Sequence, residues 1–425
     1  MSLASAASSR RGPWGTVLRF LAVVGPGLIV AFADTEAGSI TTAATSGAQF
    51  GMKLILLQLL LIVPLFIVQE MTVRLGTATG KGHARLIRER YGLGWAWVSL
   101  GTMLATNVAA LVTEFAGIAG AAAIFGINPN LLVGAAALLL IGVITSGTYK
   151  RAEYIALALC LLELLFIPAA FAAHPGWHTI LRQGIFGSQP LGNNAYLLLI
   201  ASNIGAVIMP WMIFYQQSAT VDKGLGLPDL RFARIDTAIG AIATQIIMCA
   251  IIVTTGATLY VEHVPVSDAA HAALSLVPLI GPMAEITFGI ALVGASLLGA
   301  FVVSLATAWA FGEAFDWPCS LNHSCFKAKR FYGLYAACVV VAAGIVLVPH
   351  LPLVQITVNV EAFNGFVLPI VLGFLLVMVN DKNILPKSLR NNVFSNVIAL
   401  GLSGIVIALG IWMAVITLIH PAGTS

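Results

Sequence analysis

The chain has 425 residues, 59% of them hydrophobic and only 9% charged, with mean hydropathy +0.97 and a formal net charge of +4. Soluble domains carry about a quarter charged residues, so the composition excludes a soluble globular protein and predicts an integral membrane protein. Apolar runs of the ~20 residues that cross a bilayer recur along the whole length. They leave no separate soluble domain, and their continuity points to an all-α chain, because barrel strands alternate in segments of about ten residues.

In chain order, residues 1–18 are polar and basic and lack an apolar core followed by a small-residue cleavage site. They read as a disordered cytoplasmic tail, not a signal peptide. The first span, 20–46, contains FADTEAGSI, in which Asp34 and Glu36 precede the small Ala37, Gly38 and Ser39. Span 51–73 leads into a basic loop, and span 94–125 carries Asn107, Thr113 and Glu114. Spans 128–148 and 152–173 complete a first half. Span 193–219 is interrupted at GAVIMPWM, where Pro210 lacks an amide donor and clashes with the preceding turn.

Spans 233–259 and 279–315 follow, with Glu313 near the inner end of the latter read as an interfacial pairing residue. Cys319, His323 and Cys325 in CSLNHSC are an incomplete and irregular zinc ligand set and read as free thiols and a loop histidine. Spans 331–349, 353–379 and 393–418 end the chain. Thr357, Glu361 and Asn364 stand at i, i+4 and i+7 in the second of these, on one helical face. A polar stripe at that depth should face the bundle interior.

The basic residues set the topology. With the amino terminus inside, all 21 lysines and arginines except Lys53 and Arg182 fall on the inner side. This is the positive-inside pattern, and it predicts eleven transmembrane helices with a cytoplasmic amino terminus and an outer carboxyl terminus in a plasma (inner) membrane. Five helices per half make the second half enter upside down. Residues 20–175 and 193–380 then form an inverted repeat, with the eleventh helix, 393–418, appended to a single transporter domain of residues 19–425. Helices 1 and 6 are broken at matching positions, the feature that marks a central site in such folds.

A mid-bilayer carboxylate costs about 2.5–3.5 kcal/mol on insertion scales, so Glu36 needs a compensating charge. A cation supplies it, and the candidate ligands are the Glu36 carboxylate, the Ser39 hydroxyl, a backbone carbonyl near Ala206 and the Met209 thioether. Oxygen donors suit magnesium, calcium or manganese, and a thioether adds preference for softer transition metals. Asp34 is expected near the cavity mouth, attracting cations or pairing with a polar neighbour. Glu114 is read either as a proton or gating site or as a structural hydrogen-bonding residue. All eight histidines fall in expected loops or at helix ends, so an imidazole relay through the interior is not expected.

The segments GPGLIVAFADTEAGSITTAATSGAQFG, QEMTVRLGTATGKGHARLIRERYG, GAVIMPWMIFYQQSA and FGEAF resemble the Nramp (natural resistance-associated macrophage protein) divalent-metal transporters over nearly the whole chain. The resemblance implies a LeuT-type inverted repeat and transport of manganese or ferrous iron, usually with protons. The first-helix motif Asp-Pro-Gly-Asn of that family stands here as Glu36, Ala37, Gly38 and Ser39. Ala206 and Met209 match its helix 6 ligands, Trp211 and Gln216 stand where it has histidines, Glu114 matches the first of two helix 3 acids, and Gly117 replaces the second.

The implied function is a secondary transporter of divalent cations, manganese or iron favoured, with weak or no proton coupling. The ion path or coupling residues would be Asp34, Glu114, Thr357, Glu361, Asn364, Trp211 and Gln216. The alternatives are a magnesium transporter of the same family, a carrier of a small cationic organic solute on the same fold, and a channel. No enzymatic activity, resident cofactor, nucleic acid or obligate protein partner is expected; the expected partners are the metal ion and membrane lipid.

Overall fold

The computed structural model describes residues 13–145, 148–266, 270–273, 281–348 and 353–419. The elements used below are helical: α1 (Pro13–Val23), α2 (Pro26–Ala33), α3 (Ala37–Phe50), α4 (Ile55–Thr79), α5 (His83–Tyr91), α6 (Leu93–Ile124), α7 (Pro129–Thr145), α8 (Tyr149–Glu163), α9 (Phe166–Ala172), α10 (Asn194–Val207), α11 (Pro210–Asp222), α12 (Leu230–Ala257), α13 (Pro282–Ala314), α14 (Lys329–Val346), α15 (Leu353–Asn380) and α16 (Val393–Ile419). Among the described residues, eight helices are long and apolar enough to cross a membrane, or nine if one bent pair counts as a span. Large apolar side chains such as Leu138, Leu161 and Phe171 remain exposed on the outside of the bundle, as a lipid-facing surface requires.

Three features depart from the expected pattern. Residues 13–18, expected in a disordered tail, belong to α1, and the rest of that expected tail lies outside the described residues. The basic loop after α4 contains a helix of its own, α5, whose apolar side buries Leu86 and Ile87. The fifth span is interrupted after Glu163 and resumes as α9 at Phe166. Periodicity missed the first two because short amphipathic stretches beside charged residues look like loops. The third is marked by Pro168, which cannot donate to the Leu164 carbonyl four residues earlier and clashes with it, a signal the reading by periodicity passed over.

The bend between α1 and α2 is 43° and turns at Gly25, whose φ of +151° favours glycine. Helix α2 starts there without a side-chain cap from its own sequence. Asp236 on α12 supplies one instead, accepting the amides of Gly25 at 3.2 Å and Gly27 at 2.7 Å. These are donors that a helix start leaves without partners. Lys223 donates to the Val24 carbonyl at 2.7 Å and pairs with Glu153 at 2.6 Å, while Arg19 pairs with Asp229 at 2.8 Å. The end of helix 1 that carries the basic residues is thereby tied to α8, α11 and the start of α12.

The core lies where α13 packs against α6, α8, α11 and α14, and where α12 packs against α2, α3 and α4. Asn107 donates to the Thr307 hydroxyl at 2.7 Å across the α6–α13 contact. Asn203 accepts from Gln58 at 2.6 Å and donates to Ser46 at 2.9 Å, clasping α10 to α3 and α4. Glu313, read as a pairing residue, accepts from the Ser218 hydroxyl at 2.6 Å across the α13–α11 contact. Cys319 and Cys325 are free thiols, and among the described residues no three His, Cys, Asp or Glu groups gather as a metal site.

The segment RLGTATGK, the last turns of α4 and its cap, has a defined role in this packing. Gly80 caps α4 with φ +62°, and the following Lys81 carbonyl accepts from Gln217 at 2.9 Å. The Gln217 side-chain oxygen meets His83 Nδ1 at 3.1 Å. Burial lowers the His83 pKa from 6.5 to about 4, so the folded chain holds the ring neutral where the unfolded chain begins to protonate. Its contribution to stability is complete above pH 6.5 and is lost as pH falls from there towards about 4. Thermal melting in detergent is expected to drop across that interval, and His83→Gln should flatten the dependence.

Candidate functional site

Helix 1 breaks between Ala33 and Ala37, and Glu36 lies in the break with extended backbone, φ −79° and ψ 174°. Asp34, Ala37, Gly38 and Ser39 surround it with short side chains, and such residues tolerate an interruption that a run of leucine would resist. The second break follows Val207. Ile208 and Met209 are extended, with ψ of 93° and 148°, and Pro210 restarts the helix as the first residue of α11. Proline there costs nothing, because the first amide of a helix has no internal partner. Upstream, Pro210 forbids continuation of α10.

The two breaks meet. The Ser39 hydroxyl donates to the Ala206 carbonyl at 2.9 Å, so two ligands proposed from distant parts of the sequence are in direct contact. Met209 ends the same break and is fully buried. Its sulfur accepts from the Trp211 indole N–H at 3.0 Å. Glu36, Ser39, Ala206 and Met209 are all 0% exposed, which closes the site to solvent on both sides of the membrane.

Two further acids face Glu36. Glu114 reaches in from α6 and accepts the Ala37 amide at 3.4 Å. Glu361 reaches in from α15 and lies against Gly38, where a Cβ would collide with its carboxyl group. Gly205 on α10 permits that approach, since a Cβ there would sit 2.9 Å from the Glu361 carbonyl. Asn364 faces Glu361 from one turn further along α15.

Ionised carboxylates are acceptors only, so three that face one another in the charged form leave one another without donors. Among the described residues, both side-chain oxygens of Glu36 and of Glu361, one of Glu114 and both polar atoms of Asn364 have no hydrogen-bond partner. Buried polar atoms are ordinarily paired, and here a cation would supply the missing partner. The carboxylates do not by themselves form a three-acid metal cage among the described residues. A bound ion would therefore draw on the hydroxyl, carbonyl and thioether at the junction of α3 with α11.

The structure sorts the remaining sequence-derived residues. Gln216 does not join this cluster: its oxygen accepts from Thr72 at 2.9 Å and its amide donates to Thr237 at 3.0 Å, so it clasps α11 to α4 and α12. Asp34 is not at a cavity mouth. It is 3% exposed and meets the Gln69 amide at 3.5 Å. The Thr357 side chain lies outside the described residues. Glu163 is fully buried and was missed in the sequence, although an acid inside an apolar run is a signal in its own right.

Gly117 has a physical reason for being glycine. A Cβ there would stand 2.5 Å from the Ala37 Cβ and 2.5 Å from the Ser296 hydroxyl. Helix α6 can approach the break only because nothing projects from that position.

The sequence profile described as natural resistance-associated macrophage protein-like matches residues 27–416. A divalent metal cation transporter MntH of Ralstonia nicotianae is 25% identical over 415 residues, 94% of this chain and 91% of its own. A protein of the same name from Yersinia pestis is 30% identical over 303 residues, 67% of this chain and 71% of its own. The manganese transporter of Eremococcus coleocola, solved with an aromatic bis-isothiourea compound, superposes with TM-score 0.74 at 18% identity, over 98% of this chain and 91% of its own. The structure of MhsT in complex with L-phenylalanine superposes with TM-score 0.61 at 14% identity, over 92% of this chain and 97% of its own.

Proposed function

The chain belongs to the Nramp (natural resistance-associated macrophage protein-like) family, and on that premise we propose that it moves divalent metal cations across a membrane by alternating access. The observation that carries the proposal is Glu36, fully buried at the break of helix 1 with neither oxygen hydrogen-bonded among the described residues. Glu36, Ser39, the Ala206 carbonyl and Met209 bind the ion, and Glu114, Glu361 and Asn364 line its path. The relatives named for divalent metal cation transport support a divalent ion, and the Met209 thioether favours a softer transition metal, manganese or ferrous iron. Magnesium is the second reading, supported by the oxygen-rich surroundings of Glu36.

The ion enters and leaves through rearrangement of helix 1, because the site is closed on both sides. Contacts from Asp236, Lys223 and Arg19 hold α1 and α2 in place at the inner end, and their release opens the inward path. Eleven spans, an inner amino terminus, an outer carboxyl terminus and a single domain over residues 19–425 complete this reading, following the basic-residue bias. The test is a panel of manganese, iron, magnesium and calcium uptake by the purified chain in liposomes. Saturable uptake of at least one divalent ion is expected; uptake of none would remove the proposal.

Trp211 tunes the choice of ion. Its N–H occupies part of the Met209 sulfur's lone-pair density, which makes the thioether a poorer donor. A hydrogen bond of this kind is worth about 0.5–1.5 kcal/mol net. Trp211→Phe keeps a buried ring and removes the donor, so the preference for cadmium over manganese should rise about 3- to 10-fold. Competition of each ion against labelled manganese uptake measures it, and Met209→Ala should abolish the difference.

A further inference from the structure

We infer that Asp34 and Glu163 form a second cation seat, separate from that of Glu36, which takes a hard, oxygen-preferring metal ion such as sodium or magnesium. Glu163 ends α8 where the fifth span is interrupted, and Asp34 lies in the break of helix 1. The Glu163 carboxyl faces Thr35 and lies within electrostatic reach of Asp34. The Thr35 hydroxyl meets the Thr244 hydroxyl of α12 at 2.7 Å. Gln69 on α4 reaches Asp34 with its amide nitrogen and leaves its own side-chain oxygen without a partner among the described residues.

All five side chains are at least nine-tenths buried. Both Glu163 oxygens and one Asp34 oxygen also have no hydrogen-bond partner among the described residues. At 1.5 Å rise per residue, Gln69, Glu163 and Thr244 stand roughly 15 to 21 Å from the ends of their helices that carry the basic residues. That is the middle of the ~30 Å hydrocarbon core. Two carboxylates, two hydroxyls and an amide oxygen, with no sulfur or imidazole, form a hard donor set.

Asp34, Glu36, Glu114, Glu163 and Glu361 act on one another, and among the described residues no lysine, arginine or histidine is a main influence on any of them. The Thr35 hydroxyl beside Glu163 and the Gln69 side chain beside Asp34 bring neutral oxygens of the kind a hard metal ion coordinates.

The test is equilibrium binding to the purified full-length chain without transition metal, using radioactive sodium with choline as the ionic control and magnesium as competitor. Wild type is expected to bind sodium above the choline background or to bind magnesium. Displacement of sodium only by sodium assigns the seat to sodium, and displacement by low magnesium assigns it to magnesium. Glu163→Gln and Thr244→Val should each weaken binding about tenfold or more. Manganese binding to the same Glu163→Gln sample should change less than about twofold, which also reports that the variant is folded.

Absence of sodium and magnesium binding in wild type, proton uptake alone, or unchanged binding in Glu163→Gln would each overturn the inference. Loss of sodium or magnesium binding in Glu36→Gln but not in Glu163→Gln would overturn it too, by moving the ion to the first seat. A wild type that binds sodium or magnesium yet transports no divalent ion would remove the transport proposal and leave this one standing.

Discussion

Glu36→Gln is expected to reduce divalent-metal uptake in liposomes by about two to three orders of magnitude while leaving the chain folded. The substitution keeps the volume and one oxygen of the side chain but removes the charge that faces the ion. Removing one partner of a buried charge pair costs about 3–5 kcal/mol, and each 1.36 kcal/mol is tenfold. Because the Glu36 side chain makes no hydrogen bond to the described residues, no such bond is lost when its charge goes. Melting in detergent should therefore be unchanged or higher. Native-rate manganese and magnesium uptake by Glu36→Gln would show that the ion is held elsewhere.

Gly117→Asp should disable the protein for a different reason. The substitution restores the acid that the family resemblance places in helix 3, and a reading based on motifs alone predicts gain of proton coupling. The structure predicts damage: a Cβ at this position stands 2.5 Å from both the Ala37 Cβ and the Ser296 hydroxyl. Overpacking of a tight contact costs about 1–3 kcal/mol, and an unpaired buried carboxylate adds to it. Transport should fall about tenfold or more, with a lower melting temperature. Gly117→Ala, which introduces the clash without the charge, should reproduce part of both effects. Wild-type uptake by Gly117→Asp, or a new acidification signal during metal entry, would refute this account of the contact between α6 and α3.

The motifs did not carry equal weight. The two helix breaks were visible because their causes are local: Pro210 acts on its own turn, and small residues with two acids weaken the helix at Asp34 to Ser39. Ser39, Ala206 and Met209 followed from placing the breaks opposite each other, and the contact between Ser39 and Ala206 agrees with that pairing. Glu361 and Asn364 were recognisable as a polar face, but their distance from Glu36 depends on how α15 crosses α10 at Gly205. The Gln216 position misled because a histidine-to-glutamine exchange says nothing about which neighbours the amide will find. Thr72 and Thr237 satisfy it, and both come from other helices.

Short stretches of sequence were enough to establish that the chain spans a membrane, which ends of its helices carry the positive charge, and where helices 1 and 6 break, because hydropathy, charge bias and proline sterics are local properties. Helix packing was needed to show which buried acids share a site, that Asp236 caps a helix more than two hundred residues away, that Trp211 engages the Met209 sulfur, and that Glu163 lies near Asp34. Those are contacts between side chains on separate segments. Their existence depends on crossing angles and close approaches that no single helix encodes.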